Sequence, residues 1–438
     1  MAGSINRRAV RWLRGQLPEL VAAGAISSEN AAAIERHYGP VESRTNFGFV
    51  ILATVGAALV GAGIILIIAH NWDDLSRATR TVIAFIPLLI AQALVVFVLM
   101  RRNESRPWRE AVAVFDVAAV ATAISLISQT YQIQGSFADF MQVWLLLSIP
   151  IVYLLRTTIG AVVYVLGTLV WLDSRWGFIF GRTESPMMFW GLLLLVVPYF
   201  WICFRRNRDS RETATLGVVL ALATIIGLGI TAEFAKADIG AIAFAGLLTT
   251  IYLCGILFFP KTDQRLHVIA LLGGIGVGVA TIVLSFESSW HFTSDLPWKD
   301  RSVAQNLALA IELLFPIAAV CLAAFDLLRG RLRFSWTVAG FPVVTVIAWS
   351  VATSKESFAA ALLINCYALL LGIDILARGI RTSSIGRANF GLLLIAVLAI
   401  ARFFDSDLSF VTRGVGFIVV GAGFLIANVV LFKRRAAT

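Results

Sequence analysis

The stretch FGFVILATVGAALVGAGIILIIA, residues 47–69, decides the fold class of this protein. Its 23 residues include no charged side chain, and about 20 apolar residues are enough for an α-helix to cross the hydrocarbon core of a bilayer. His70 and Asn71 continue the same helix and therefore lie close to the boundary of that core. The stretch is predicted to be a membrane-spanning helix.

The same pattern recurs along the whole chain. Of its 438 residues, 59% are hydrophobic and 14% are charged, whereas a soluble globular protein carries about 25% charged residues. We therefore expect an all-α polytopic membrane protein with about fourteen transmembrane helices. Three of the apolar runs, 140–155, 157–172 and 388–401, are short. Only Arg156 separates the first two, and these two could form a re-entrant pair instead of two spans. The expected spans are 47–69, 81–100, 112–128, 140–155, 157–172, 187–204, 214–232, 239–259, 267–286, 306–328, 334–353, 358–377, 388–401 and 411–432.

Lysine and arginine residues sort between alternate loops. With a cytoplasmic N-terminus, the inner loops and termini hold 26 of the 36 basic residues and the outer loops hold 10. The positive-inside rule then predicts that both termini are cytoplasmic, an N-in/C-in topology. This distribution accounts for the pI of 9.9, so we expect the lipid bilayer rather than nucleic acid as the partner.

The N-terminal residues 1–45 are predicted to form a small cytoplasmic helical hairpin. One helix is expected over residues 7–23, with Gly24 ending it, and a second over residues 29–38, with Ser28 as its N-cap. A hairpin of this size has no independent core, so it should dock on the membrane domain or on a cytoplasmic protein partner. Residues 46–435 then form the transmembrane domain.

Polar residues collect on the predicted outer face. They either form a site or play structural roles. The structural alternative is that Asn71 or Asp73 caps the start of a surface helix, and that the glutamine amides bind loop backbone rather than sugar-like groups. Arg402 and Asp405 are spaced for a salt bridge, for which a structural clasp is the favoured role. The candidate residues on this face are His70, Asn71, Asp73, Asp74, Gln129, Tyr131, Gln132, Arg402 and Asp405.

Glu312 is the polar outlier inside the membrane. It lies in the apolar sequence LALAIELLFPIAAV, about two turns below Asn306. A carboxyl group at this depth should face the interior of the bundle and be paired, protonated or near water. The functional interpretation is a proton-relay or substrate residue, and the alternative is a protonated structural glutamate.

Motifs for catalysis or metal binding are missing from the sequence. There is no nucleophile elbow, no HExxH and no Walker A motif, and the four cysteines lie in predicted spans without CxxC spacing. We therefore expect no metal and no cofactor, and we assign no catalytic residue. Glycines in several spans, including Gly273, Gly274 and Gly278, are expected to let helices approach closely.

Several stretches resemble the bacterial membrane-protein family called domain of unknown function 2157. The resemblance rests on the hairpin from Leu13 to Gly39, on AHNWD (69–73), on SQTYQIQG (128–135) and on WLLLSIPIVYLL (144–155). It covers about residues 8–175, and the stretches 365–379 and 401–410 are similar to longer members. It implies a multi-pass protein of the bacterial inner membrane and implies no activity.

Three hypotheses for the function remain open. The first is a transporter or flippase-like protein with a polar site at the outer face. The second is a membrane-embedded enzyme acting on a lipid-linked substrate, because Asp73 and Asp74 resemble the acidic pair of lipid-dependent glycosyltransferases, although the loop 70–80 is short. The third is a non-catalytic sensor or assembly factor that binds a partner through residues 1–45. We favour the first, and consider an enzyme the weaker expectation.

Overall fold

The fold was described from a computed structural model. It describes residues 7–38, 74–176, 185–259, 268–291, 301–330, 335–354, 356–382 and 384–405, with 418, 421 and 422. The first expected span lies outside these residues, as does nearly all of the last. The chain divides into two compact units, residues 1–79 and 80–438.

The first unit contains the expected pair of helices. Helix α1 covers Arg7–Ala22 and helix α2 covers Ser28–Tyr38. Gly24 follows α1 with a φ of 69°, a left-handed conformation that glycine adopts without a steric penalty. The N-cap differs from the prediction by one residue, because the hydroxyl of Ser27, not Ser28, accepts a hydrogen bond from the backbone N–H of Asn30 at 3.2 Å.

The second unit is a bundle of helices, most of which are long and apolar. Among the described residues, nine helical segments are long and apolar enough to cross a membrane. The helices from this point on are α3 (Arg77–Arg101), α4 (Arg106–Tyr131), α5 (Phe137–Leu155), α6 (Thr158–Trp176), α7 (Met187–Leu194), α8 (Val197–Arg206), α9 (Arg211–Ala235), α10 (Gly240–Leu257), α11 (Val268–Leu284), α12 (Val303–Leu328), α13 (Trp336–Ala339), α14 (Phe341–Thr353), α15 (Ser357–Arg381) and α16 (Ile385–Asp405).

The helices coincide with the expected spans wherever the structure describes the chain. Helices α5 and α6 each have 19 residues, about 28 Å at 1.5 Å per residue. Helix α5 is among the nine segments and α6 is not, so the choice between two spans and a re-entrant pair stays a prediction. Two expected spans are interrupted. The breaks fall just before Pro198 and Pro342, because proline has no N–H with which to continue the hydrogen bonds of the preceding helix.

Helix α10 lies at the centre of the second unit, with 67% of its span buried. Three glycines let its backbone meet its neighbours directly. A Cβ atom at Gly246 would lie 2.2 Å from the backbone nitrogen of Pro316 in α12, and one at Gly255 would lie 2.2 Å from the backbone nitrogen of Ala270 in α11. A Cβ at Gly273 would lie 2.3 Å from the nitrogen of Tyr252. Small residues therefore set these helix separations.

Candidate functional site

A cavity of about 1090 Å³ lies between α3, α4 and α5. Its walls are apolar along the helices, with Phe85 and Leu88 from α3, Ile124 from α4, and Val143 and Leu147 from α5. One end is polar. This end is lined by residues from the end of α4, from the connection that follows and from the start of α5. They are Ser125, Ser128, Gln129, Gln134, Gly135, Ser136 and Asp139.

The polar end is shaped by the way in which α4 ends. Gln132 adopts a left-handed conformation with a φ of 51°, and the N–H of Ile133 donates to the carbonyl of Ser128 at 3.0 Å. This is a helix C-cap built without glycine, a role that asparagine and glycine fill more often. The chain reverses here and returns along the cavity at Gln134 and Gly135.

The start of α5 is fixed by a reciprocal cap. The hydroxyl of Ser136 accepts from the N–H of Asp139 at 3.2 Å, and the carboxylate of Asp139 accepts from the N–H of Ser136 at 2.9 Å. Arg175, at the end of α6, forms a salt bridge with the same carboxylate. The cap and the salt bridge hold the first turn of α5 in place at the mouth of the cavity.

A polar pair lies deeper in the cavity. Gln92, which lines the cavity from α3, donates a hydrogen bond of 2.7 Å to the carboxyl group of Asp116 in α4. Asp116 is 2% exposed and is the eleventh residue of a 26-residue helix. An interaction between the side chains of separate helices cannot be seen in a pattern along one helix, so the sequence indicated neither residue as part of a site.

The candidate residues near this cavity have different positions. Gln129 lines it, as the prediction of a polar site at this position requires. The hydroxyl of Tyr131 lies 3.1 Å from that of Thr81 and joins α4 to α3, while Gln132 has the capping conformation described above. Neither Tyr131 nor Gln132 lines the cavity, and a functional role for them stays a prediction.

Of the first-loop candidates, the structure describes Asp74, which is exposed. His70, Asn71 and Asp73 lie outside the described residues, so their roles stay predictions. Among the residues that are described, no three histidine, cysteine, aspartate or glutamate side chains come close enough together to hold a metal ion.

Arg402 lies at the end of α16. Its Nη2 atom donates to the hydroxyl of Ser285 at 3.4 Å, and its guanidinium lies 4.7 Å from the ring centre of Phe286. These contacts tie α16 to the end of α11. The side chain of Asp405 lies outside the described part of the chain, so the predicted clasp between Arg402 and Asp405 stays a prediction.

Glu312 occupies a separate place in the bundle. It is 1% exposed, and neither carboxyl oxygen has a hydrogen-bond partner among the described residues. It faces the protein, as predicted, and does not line the cavity between α3, α4 and α5. The guanidinium of Arg301, just before α12, interacts with it electrostatically.

Comparison with known proteins adds a family and no activity. No curated protein and no solved structure shows significant similarity to the chain. The sequence model of the family described as "Predicted membrane protein (DUF2157)" matches residues 18–159, from α1 to the first turn of α6. The matched segment includes all three helices that form the cavity. Over residues 18–159, about a third of the chain, this multi-pass membrane protein is therefore similar to the DUF2157 family of predicted membrane proteins.

Proposed function

We propose that the protein binds an amphipathic, lipid-like molecule in the cavity between α3, α4 and α5 and moves it between the membrane leaflets or across the membrane. The observation that carries this proposal is the division of one cavity into an apolar part along the helices and a polar end. A lipid has the same division, with acyl chains at one end and a hydrogen-bonding headgroup at the other. At about 1090 Å³, the cavity is at the upper end of the usual range for ligand pockets.

The lining predicts the kind of headgroup. The amides of Gln129 and Gln134 and the hydroxyl of Ser128 can both donate and accept hydrogen bonds. Asp139 is the charged residue of the lining, and its carboxylate is already paired with Arg175. Since no lysine or arginine among the described residues lines the cavity to bind a phosphate, we expect an uncharged polar headgroup, such as a sugar or a polyol.

A route from the bilayer to the cavity follows from the surface of α3. Leu89 and Ile90 are 65% and 50% exposed, and Val82 and Val96 are similarly exposed, so this helix presents an apolar face between its two ends. An apolar face at membrane depth is in contact with lipid rather than water. A lipid could then enter from the side, chains first, and place its headgroup at the polar end.

The topology belongs to the same proposal. With fourteen spans and both termini in the cytoplasm, the polar end of the cavity faces away from the cytoplasm, and the helical hairpin in residues 1–45 lies inside the cell. We propose the bacterial inner membrane as the location of this arrangement, because the resemblance to the family implies it. The transmembrane domain, residues 46–435, would carry the transport function, and the hairpin would bind a cytoplasmic partner or the membrane domain.

Binding can be tested with purified protein and photoactivatable lipid analogues that differ only in the headgroup. A neutral glycolipid should crosslink to peptides from α3, α4 and α5, and more strongly than an anionic phospholipid. Leu147→Trp, which fills the apolar wall, should reduce crosslinking severalfold. Leu146→Trp, on the same helix but outside the lining, should leave it unchanged.

The polar end has its own matched pair of variants. Gln134→Leu should reduce the preference for the glycolipid, whereas Gln142→Leu, the same change on α5 outside the lining, should retain it. Equal crosslinking by wild type, Leu147→Trp and Gln134→Leu would contradict a binding site in this cavity.

Transport itself needs a second measurement, the movement of a fluorescent glycolipid between leaflets of proteoliposomes. Retention of binding without movement would support a lipid sensor. Metal-dependent turnover of a polyprenyl-linked sugar that is lost in Asp74→Asn would instead support the enzyme hypothesis.

A further inference from the structure

Glu312 lies on a narrow buried stripe of an otherwise lipid-facing helix. The buried residues of α12 are Ala308, Glu312, Ala319 and Asp326, which are spaced by four, seven and seven residues and therefore share one face. The opposite side is exposed, with Leu314 and Ile317 more than half accessible. The carboxyl group therefore points into the contact between α12 and its neighbours α9 and α10.

The helix is weakened one turn after Glu312. Pro316 has no N–H to donate to the backbone carbonyl of Glu312, so one helical hydrogen bond is missing at this residue. The backbone of α10 packs directly on this proline at Gly246, and the hydroxyl of Thr250 donates to the carbonyl of Phe315 at 3.1 Å. The carboxyl group is thus beside a natural bending point that faces a close helix contact.

An ionised carboxylate in this position would be very unfavourable, because it is shielded from water and its two oxygens accept no hydrogen bond from any residue that the structure describes. Asp116 provides the contrast within the same chain, since it is equally buried but accepts from Gln92. The packing described here therefore suits a neutral, protonated Glu312. Loss of the proton would require a new partner for the charge.

Arg301 is the candidate partner, because its guanidinium interacts electrostatically with Glu312. Its Nη2 atom donates to the carbonyl of Lys236 at 3.0 Å, and so it holds the turn between α9 and α10. Trp349 holds the same turn through a 2.8 Å hydrogen bond to the carbonyl of Asp238. Lys236 and Asp238 both have positive φ, 49° and 55°, a conformation that costs free energy in residues other than glycine and persists where contacts enforce it.

The other charged groups near Glu312 are few. On α9 and its turn they are Glu233, Lys236 and Asp238, all at the end of the bundle where Arg301 lies. On α10, Tyr252 and Cys254 lie beyond the contact with Pro316, and α7 and α13 contain no titratable residue. On α12 itself, Cys321 and Asp326 are more than about two turns away.

We propose that Glu312 is a reversible proton-binding site and that loss of its proton transfers Arg301 from the carbonyl of Lys236 to the carboxylate. The O–H bond of Glu312 breaks, and the proton leaves to water at the end of the bundle where Arg301 lies. The carboxylate and the guanidinium then form an ion pair, and the turn between α9 and α10 loses the hydrogen bond from Arg301 to the carbonyl of Lys236. Proton binding restores the packing seen here. The proposal does not rest on lipid transport, although it would supply a transporter with proton coupling.

The protonation state can be measured directly by infrared difference spectroscopy of the full-length protein in lipid nanodiscs. Wild type should show the carbonyl band of a buried carboxylic acid that disappears as the pH is raised. Glu312→Gln should lack this band, and Asp116→Asn should retain it. A band that is the same in wild type and Glu312→Gln would overturn the assignment of the proton to Glu312.

The coupling to the turn can be measured by hydrogen–deuterium exchange of the peptide around residues 236–240. The measured quantity is the ratio of the exchange rate in wild type to that in Glu312→Gln at the same pH. This ratio should rise at least about tenfold as the carboxyl band disappears, because the charge-assisted hydrogen bond from Arg301 to the turn is lost. Arg301→Gln should show fast exchange of this peptide at every pH. A ratio that stays constant across the titration would overturn the coupling, even if Glu312 titrates.

If Glu312→Gln does not fold, wild type alone still decides the question, because its carboxyl band and its turn exchange must change over the same pH range. Different ranges would exclude the transfer of Arg301. Glycolipid crosslinking of the same samples tests the lipid-binding proposal independently of the proton-binding proposal. A failure to crosslink would contradict lipid binding in the cavity and would leave the infrared result on Glu312 unaffected.

Discussion

Replacement of Glu110 by alanine should destabilise the bundle more than any surface change. Glu110 is 8% exposed and reaches from α4 to the first turn of α6. Its carboxylate accepts from the N–H groups of Thr158 and Ile159 at 3.0 and 2.9 Å and from the hydroxyl of Thr157. It thus accepts the hydrogen bonds of N–H groups at the start of α6 that would otherwise bind water. The helix dipole also favours a negative charge at this end of a helix.

The magnitude follows from these three hydrogen bonds. A hydrogen bond to a charged group contributes about 1.5–3 kcal/mol, and a simple sum over three is an upper limit because water can reach part of the vacated space. The salt bridge of Glu110 with Arg106 adds little, since it is 3.7 Å long and the arginine is 52% exposed. We expect Glu110→Ala to lower the free energy of unfolding by about 3–5 kcal/mol, as for other broken buried charges.

Unfolding in mixed detergent micelles, followed by tryptophan fluorescence, measures this loss. Glu104→Ala, an exposed glutamate before the same helix, is the matched control and should change stability by less than about 0.5 kcal/mol. Glu110→Gln, which retains the shape without the charge, should lie between the two. Equal stability of Glu110→Ala and Glu104→Ala would refute the capping argument.

Three further predictions test other parts of the structure. In a cysteine-free background, an impermeant maleimide added to intact cells should label Ile133→Cys and not Glu104→Cys, and the reverse would contradict the N-in/C-in topology. Gly246→Ala should lower the free energy of unfolding by about 1–3 kcal/mol because its Cβ would overlap Pro316, whereas Gly191→Ala has free space and should be neutral in the same assay. Asp374→Ala should lower the free energy of unfolding by about 2–4 kcal/mol, because this carboxylate accepts hydrogen bonds from two hydroxyls and an arginine. An unchanged free energy of unfolding would show that water replaces the carboxylate.

The sequence was sufficient to predict where the helices lie along the chain, and insufficient to predict which helices contact one another. Apolar runs locate a span because the bilayer imposes its length on every spanning helix. The same runs contain no information about which faces meet. The sequence suggested a close contact at the GxxxG pair of Gly274 and Gly278. A Cβ at Gly278 would indeed lie 3.1 Å from the ring of Phe390, and one at Gly274 would lie 3.7 Å from the ring of Tyr252, but the residue against the backbone of Tyr252 is Gly273.

The candidate site shows the same division. The polar sequence 128–135 predicted a site at this position, and Gln129 and Gln134 line the cavity there. The sequence did not separate these glutamines from Gln132, because the difference depends on the left-handed backbone at the end of α4. Gln92 was missed entirely, since it becomes part of the cavity only when α3 packs against α4.

Asp116 and Glu312 explain why partners matter more than position for an acid in a membrane. Both are buried carboxyl groups well inside apolar helices, and neither has a neighbour of opposite charge within its own turn. Asp116 receives a hydrogen bond from another helix, which is what a structural role requires. Glu312 receives none among the described residues and lies next to a proline that weakens its helix. The switch that we propose requires that a neutral and a charged packing of Glu312 be similar in free energy, and the pairing with Arg301 is what would stabilise the charged one.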